Sequence, residues 1–241
     1  MATLNLQYIS KKYKSASSIA VDGITARFET GEVIGVIGPN GAGKTTLFHL
    51  IAGSVTPDRG SVALEKDGQH RSPRVALMLD GGGDLYRELS ALENFYYFVG
   101  LSTGGGSPEL SMAMPDTLRQ LGLEEHCRKQ VKTLSRGMQQ RLSIAIALAS
   151  SSEVLLLDEP TNGLDIEESQ ALFATLKKIA TEAQRIILFS SHVPGAILDL
   201  ADRVHFILRG KLVAEIVPEH LRQMDAKAFV ERYLVAVNAT N

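Results

Sequence analysis

A single cysteine, Cys127, stands among 241 residues. It excludes an internal disulfide. A Cys/His zinc site is short of ligands too, because His49, His70, His126, His205 and His220 fall at no metal-ligand spacing. No run of 18 apolar residues occurs, so no segment of this chain is expected to span a membrane. The opening MATLNLQYISKKYK lacks the apolar stretch of a secretory signal. Lys plus Arg total 25 against 27 for Asp plus Glu, a net charge of −2, which gives no global attraction to nucleic acid or an anionic membrane. No repeat appears at solenoid periods. These absences point to a reducing compartment in which any membrane attachment comes through a partner. What remains is an ordinary globular composition, 44% apolar, enough to bury the core of one large domain or two small ones.

The order of elements is α/β. The first 30 residues alternate loosely and read as short strands. Glu32–Gly38 (EVIGVIG) is a nearly continuous apolar run, the pattern of a strand buried on both faces. A glycine-rich turn follows, then a helix through Leu47, Phe48, Leu50 and Ile51, with Gly53 at the expected left-handed cap. Asp67-Gly68 predicts a hairpin turn, and VALML at 75–79 another buried strand. Ser90 with Glu93 predicts a capping box ahead of a helix over about 91–99. GGGSPELS at 104–111 reads as a loop tip, with helical spacing on either side at 112–121 and 137–149. The α/β pattern resumes with EVLLLDEP as a strand, a helix from Asp165 to about Glu182, and RIILFSSH as a strand. A hairpin around Arg209-Gly210 and a helical tail close the chain. The expectation is one domain over 1–241. It has an α/β core at about 1–83 and 153–217, a helical insertion at about 84–152, and a short tail at 218–241.

Gly38-Pro39-Asn40-Gly41-Ala42-Gly43-Lys44-Thr45-Thr46 matches the phosphate-binding pattern G-x-x-x-x-G-K-[ST]. The glycines let successive backbone N–H groups point into a concavity for phosphate oxygens, and the next helix adds its positive end. Lys44 is suited to reach the β- and γ-phosphates and Thr45 to ligate Mg²⁺. Val154–Glu159 is an apolar strand ending in two carboxylates. Asp158 is suited to bind Mg²⁺ and Glu159 to act as general base on the attacking water. ATP and Mg²⁺ are the expected ligands, and hydrolysis the expected reaction.

Leu134-Ser135-Arg136-Gly137-Met138-Gln139-Gln140-Arg141 stands shortly ahead of that strand, Pro160–Asp165 (PTNGLD) follows it, and Ser190-Ser191-His192 comes later. Taken in order, this set resembles the ATPase module of ATP-binding cassette (ABC) proteins over about residues 4–217. LSRGMQQR stands at the place of the family signature LSGGQ, PTNGLD looks like its D-loop, His192 like its switch histidine, and Tyr13 like the aromatic residue that stacks on adenine. The resemblance implies the ABC architecture: a P-loop core, an antiparallel β subdomain and an inserted helical subdomain. It further implies a head-to-tail dimer, with itself or a second ABC ATPase. Each ATP would lie between the phosphate loop of one protomer and Ser135 and Gly137 of the other, with His192 on the cis side of the γ-phosphate.

Two departures stand out. The family usually has a glutamine at the end of the strand after the hairpin. Here Asp80 takes that place, as a metal-proximal or coupling residue or as a purely structural turn. Arg136 and Met138 replace the usual Gly and Gln of the signature, while Ser135 and Gly137 are kept. The resemblance implies the ATP-hydrolysing subunit of an ABC transporter, peripheral on the cytoplasmic face through separate transmembrane permease subunits. LSRGMQQR, TNGLD and the short tail resemble exporter ATPases. The alternatives are a soluble non-transport ABC ATPase, disfavoured because no nucleic-acid footprint is expected, and a regulatory cassette with little turnover.

Overall fold

In a computed structural model of the chain, residues 1–14, 16, 18–79, 85–102, 115–191 and 194–238 are described. The organising element is a six-stranded sheet of order β10-β9-β3-β8-β7-β6. It comprises β3 (Val33–Ile37), β6 (Val75–Met78), β7 (Val154–Leu157), β8 (Ile186–Ser190), β9 (Arg203–Leu208) and β10 (Lys211–Ile216). All adjacent pairs are parallel except β9 with β10. The apolar runs arise because both faces are covered. Along β7 and β8 the side chains sort alternately: Leu155, Leu157, Ile187 and Phe189 face one core, Val154, Leu156, Ile186 and Leu188 the other.

The second core lies under a four-stranded antiparallel sheet of order β2-β1-β4-β5, formed by β1 (Ala2–Lys11), β2 (Val21–Glu29), β4 (Arg59–Lys66) and β5 (Gln69–Arg71), together with α1 (Lys44–Ile51). Leu4, Leu6, Ile9, Ile24 and Phe28 alternate inward from β1 and β2 against Leu47 and Phe48 of α1. Asp67 (φ 51°) with Gly68 (φ 75°), and Arg209 (φ 50°) with Gly210 (φ 80°), turn the two predicted hairpins with paired left-handed residues.

The first core holds the helices: α2 (Ala91–Ser102), α3 (Asp116–Gln120), α4 (Arg136–Ala149), α5 (Ile166–Glu182), α6 (Pro194–Leu200), α7 (Pro218–Leu221) and α8 (Ala226–Asn238). Short 3₁₀ turns at Glu124–His126 and Val131–Thr133 link α3 to α4. Residues of α2 and α4 share one continuous cluster with the sheet, so the helical insertion is packed onto the core and has no separate one among the described residues. The aromatic rings of Phe229 and Tyr233 on α8 lie 5.9 and 5.8 Å from that of Phe206, which fastens the tail to β9.

Three expectations shift. The helix predicted over 91–99 runs on to Ser102. Of 112–121 only Asp116–Gln120 is helical, while 112–114 and the 104–111 loop tip lie outside the described residues. The strand at 75–79 ends at Met78. No helix among the described residues is long and apolar enough to cross a membrane.

Candidate phosphate site

β3 delivers the chain into the glycine-rich loop, and α1 leaves it. Gly43 occupies the N-cap with φ 109°, where an added Cβ would lie 2.3 Å from the Ala20 carbonyl oxygen. Glycine is required there on both counts. A Cβ at Gly38 would come within 2.2 Å of the Ile207 carbonyl oxygen. The β9–β10 turn closes the far side, with the Gly210 N–H donating to the Ala42 carbonyl at 2.9 Å. No side chain caps α1 and no acidic residue lies in its first turn, so its positive end stays available to an anion.

Lys44 is buried at 8% exposure, and its ammonium donates to the carbonyls of Gly38 at 2.6 Å and Pro39 at 3.3 Å. Burying a lysine is expensive unless acceptors meet it, and here the loop's own oxygens do so. Thr45, one residue on, donates its hydroxyl to Asp158 Oδ2 at 2.7 Å. Asp158 is 7% exposed and accepts a second hydroxyl, that of Ser190, on Oδ1 at 2.5 Å. The Asp158 N–H donates to the Met78 carbonyl at 2.8 Å, continuing the β6–β7 ladder. A hydroxyl and a carboxylate therefore converge beside the lysine at the carboxyl end of a parallel sheet, where open α/β sheets bind ligands.

Glu159 follows with φ 50°, the left-handed region. Its N–H donates to Ser190 Oγ at 2.9 Å. Its carbonyl accepts from the Asn162 N–H at 3.1 Å and from Gln140 Nε2 at 3.1 Å. Beyond the turn, Asp165 caps α5 in a full capping box with Glu168, and Glu168 pairs with Arg141 of α4 at 3.1 Å.

The signature residues occupy the N-terminus of α4. Ser135 is the exposed N-cap and accepts from the Met138 N–H at 3.2 Å. Gly137 is buried against the D-loop of its own chain; a Cβ there would lie 2.6 Å from the Gly163 carbonyl oxygen. Tyr13 is half-buried in the segment that returns at Ala20 beside Gly43. Asp80 and His192 lie outside the described residues. Sequence reasoning assigned no role to Gln140, and it named Ser190 only as part of the SSH triplet. Nothing local marks either as a partner of Glu159.

No group of three or more His, Cys, Asp or Glu side chains that could hold a metal ion occurs among the described residues. Magnesium takes hard oxygen donors, commonly one or two carboxylates with substrate phosphates, and Thr45 and Asp158 present such a pair. A cavity of about 380 Å³ between β6, α2 and α4, walled by residues such as Leu77, Leu85, Phe98 and Ile146, includes no phosphate-loop residue.

The family model described as "ABC transporter" matches residues 21–162. The chain is 31% identical over 217 residues to the ABC transporter ATP-binding protein NatA of Bacillus subtilis, covering 87% of each chain. It is 32% identical over 234 residues to the spermidine/putrescine import ATP-binding protein PotA of Fusobacterium nucleatum, covering 96% of this chain and 61% of that one. Among solved structures, the ATP-binding cassette MJ0796, a dimer in a post-hydrolysis state bound to ADP and Pi, superposes with a TM-score of 0.76. That match is at 23% identity and covers 89% of this chain and 98% of that chain.

Proposed function

The chain belongs to the ABC transporter family, and on that premise we propose that it hydrolyses ATP through Glu159 to drive separate membrane-spanning subunits, in the outward direction. Family membership makes it an ATP-binding subunit whose ATP hydrolysis is coupled to transport. The observation that carries the residue-level reading is the converging set at the sheet's carboxyl end: Lys44 on the loop carbonyls, Thr45 on Asp158, and Glu159 presented next in line.

In this reading Lys44 exchanges the carbonyls of Gly38 and Pro39 for β- and γ-phosphate oxygens, and the loop amides of residues 41–46 hold the rest. Thr45 and Asp158 hold Mg²⁺, which when bound neutralises charge on those oxygens. Glu159 takes a proton from water as the water oxygen bonds to the γ-phosphorus. The bond from that phosphorus to the β–γ bridging oxygen breaks, and ADP leaves with the electron pair. Tyr13 is assigned to adenine on the family resemblance. Ser135 and Gly137 are assigned to the γ-phosphate of a second protomer, with Ser135 exposed at the N-terminus of a 14-residue helix that has no acid in its first turn. Asp80 near the metal and His192 on the cis side rest on the family resemblance. So does outward transport, through LSRGMQQR and TNGLD. Attachment to the cytoplasmic face of the membrane follows from the permease partners.

Glu159→Gln tests the core of this reading. It is expected to bind Mg-ATP, lose about 100-fold or more in phosphate release, and accumulate as a dimer by light scattering. Turnover at the wild-type rate would move the base elsewhere, and a monomer with ATP bound would remove the two-site sandwich. Co-purification with a stoichiometric polytopic membrane protein tests the permease partner, and recovery with a soluble assembly instead would replace transport.

A further inference from the structure

Glu159 holds a backbone conformation that a side-chain-bearing residue adopts at a cost of order 1 kcal/mol or more. Such a conformation persists only where its surroundings over-determine it. Two of the constraints are close to the turn itself: the Asn162 N–H on the Glu159 carbonyl, and Ser190 at the end of the adjacent strand β8 taking the Glu159 N–H. The third comes from α4. Gln140 Nε2 reaches the same carbonyl at 3.1 Å.

The amide orientation is settled by its partner. Exchanging nitrogen and oxygen would set two acceptors against one another at that distance. Gln140 is 1% exposed, and its Oε1 finds no hydrogen-bond partner among the described residues. A buried amide with one end unsatisfied is a poor device for stability, since an apolar side chain of similar shape would avoid that penalty. What the glutamine supplies that leucine or methionine cannot is a donor aimed at the peptide group of Glu159. Its neighbours on α4 press on the same segment: Gly137 against the Gly163 carbonyl, and Arg141 on Glu168 at 3.1 Å.

We propose that Gln140 is a positioning residue for ATP hydrolysis, holding the left-handed Glu159 peptide through its carbonyl and so making the aim of the carboxylate depend on where α4 stands. The proposal rests on Glu159 being the general base. Gln140 does not touch nucleotide in this assignment, so its loss acts on the chemical step and leaves ground-state binding alone.

The experiment compares wild type, Gln140→Leu, Glu159→Gln and the double variant in steady-state phosphate release, with Mg-ATP affinity and thermal unfolding measured on each. Gln140→Leu is expected to lower kcat about 10- to 100-fold, the scale of a sub-ångström to 1 Å misplacement, with KM and Mg-ATP affinity within about 2-fold of wild type. In the Glu159→Gln background the same change should cost nothing further, because two residues acting through one group are non-additive. Unchanged kcat in folded, ATP-binding Gln140→Leu overturns the proposal. So does an equal fold-loss in both backgrounds, which is the mark of a merely structural residue. Where Gln140→Leu fails to fold, Gln140→Met, which keeps the chain length, carries the same comparison. Wild-type turnover by Glu159→Gln alone instead refutes the assignment of the base, an outcome separate from either of those.

Discussion

Gly137→Ala sets two effects of known sign against each other. Gly137 lies in the first turn of α4, where alanine in place of glycine favours the helix by up to about 1 kcal/mol. Against this, the new methyl would sit 2.6 Å from the Gly163 carbonyl oxygen, with Gly163 C and Leu164 Cδ2 both at 3.6 Å. Ordinary contact begins near 3.4 Å, so about 0.8 Å must be found. The obstructing atom is backbone in a turn closed by the Leu164 N–H on the Thr161 carbonyl at 3.1 Å and fastened to capped α5, so it does not yield as a flexible side chain would. Overpacking of this kind costs roughly 1–3 kcal/mol. The clash therefore wins, and a net loss of about 1 kcal/mol is expected, lowering the melting temperature by about 2–4 °C for a chain of this size. The displaced residue lies four positions beyond Glu159, so phosphate release should fall about 10-fold along with the melting temperature. Differential scanning calorimetry with a coupled phosphate assay reads both. A variant that melts higher than wild type and turns over at full rate would show that helix propensity prevails and that α4 does not press on the D-loop.

Asn94→Leu should be among the most damaging single changes outside the phosphate site. Asn94 is fully buried, accepts the Tyr86 N–H at 2.8 Å, and donates to the carbonyls of Tyr86 and Ser90, both at 2.9 Å. The two carbonyls keep backbone donors, the Leu89 N–H at 3.2 Å and the Asn94 N–H at 3.0 Å, so the change strands the Tyr86 N–H, a cost of about 2 kcal/mol read as a lower urea midpoint at unchanged slope; a loss below about 1 kcal/mol would mean that water replaces the side chain. His205 gives a pH signature. Burial pushes its imidazole down to about 4, with Arg203 adding to the effect and Glu215 opposing it. The neutral ring is favoured on folding, so its contribution is complete above the unfolded value of about 6.5 and is lost as the pH falls toward 4. The span corresponds to about 3 kcal/mol. In His205→Leu the decline in stability from pH 7 to 4.5 should be shallower than in wild type, and parallel curves would refute the assignment.

Much of the fold was readable because its signals are local. A parallel strand buried on both faces is expected to be apolar, and β3, β7 and β8 up to Phe189 are. Asp67-Gly68 and Arg209-Gly210 declare hairpins because each turn needs two consecutive left-handed residues. Helix lengths were less legible. The apolar spacing that ended near residue 99 does not stop α2, because the last turn is held by the helix ladder and by packing of Phe98 and Val99 on the core.

The residues that could bind and hydrolyse a nucleotide were likewise written into contiguous stretches. A phosphate cradle requires successive amides at fixed intervals, and Asp158 and Glu159 come to one end of the sheet because they directly follow the last residue of β7. Their mutual arrangement is a different matter. Thr45, Asp158, Ser190, Glu159 and Gln140 form one chain of hydrogen bonds drawn from α1, β7, β8 and α4, and no spacing in the sequence encodes a contact across elements. The left-handed peptide at Glu159 is equally invisible, since glutamate has no intrinsic preference for it and only converging donors and acceptors hold it there. Local backbone chemistry settled which residues make up the glycine-rich loop and the acidic strand end; how the Glu159 peptide is held was decided by packing, because the groups that restrain it meet only once the sheet and α4 are assembled.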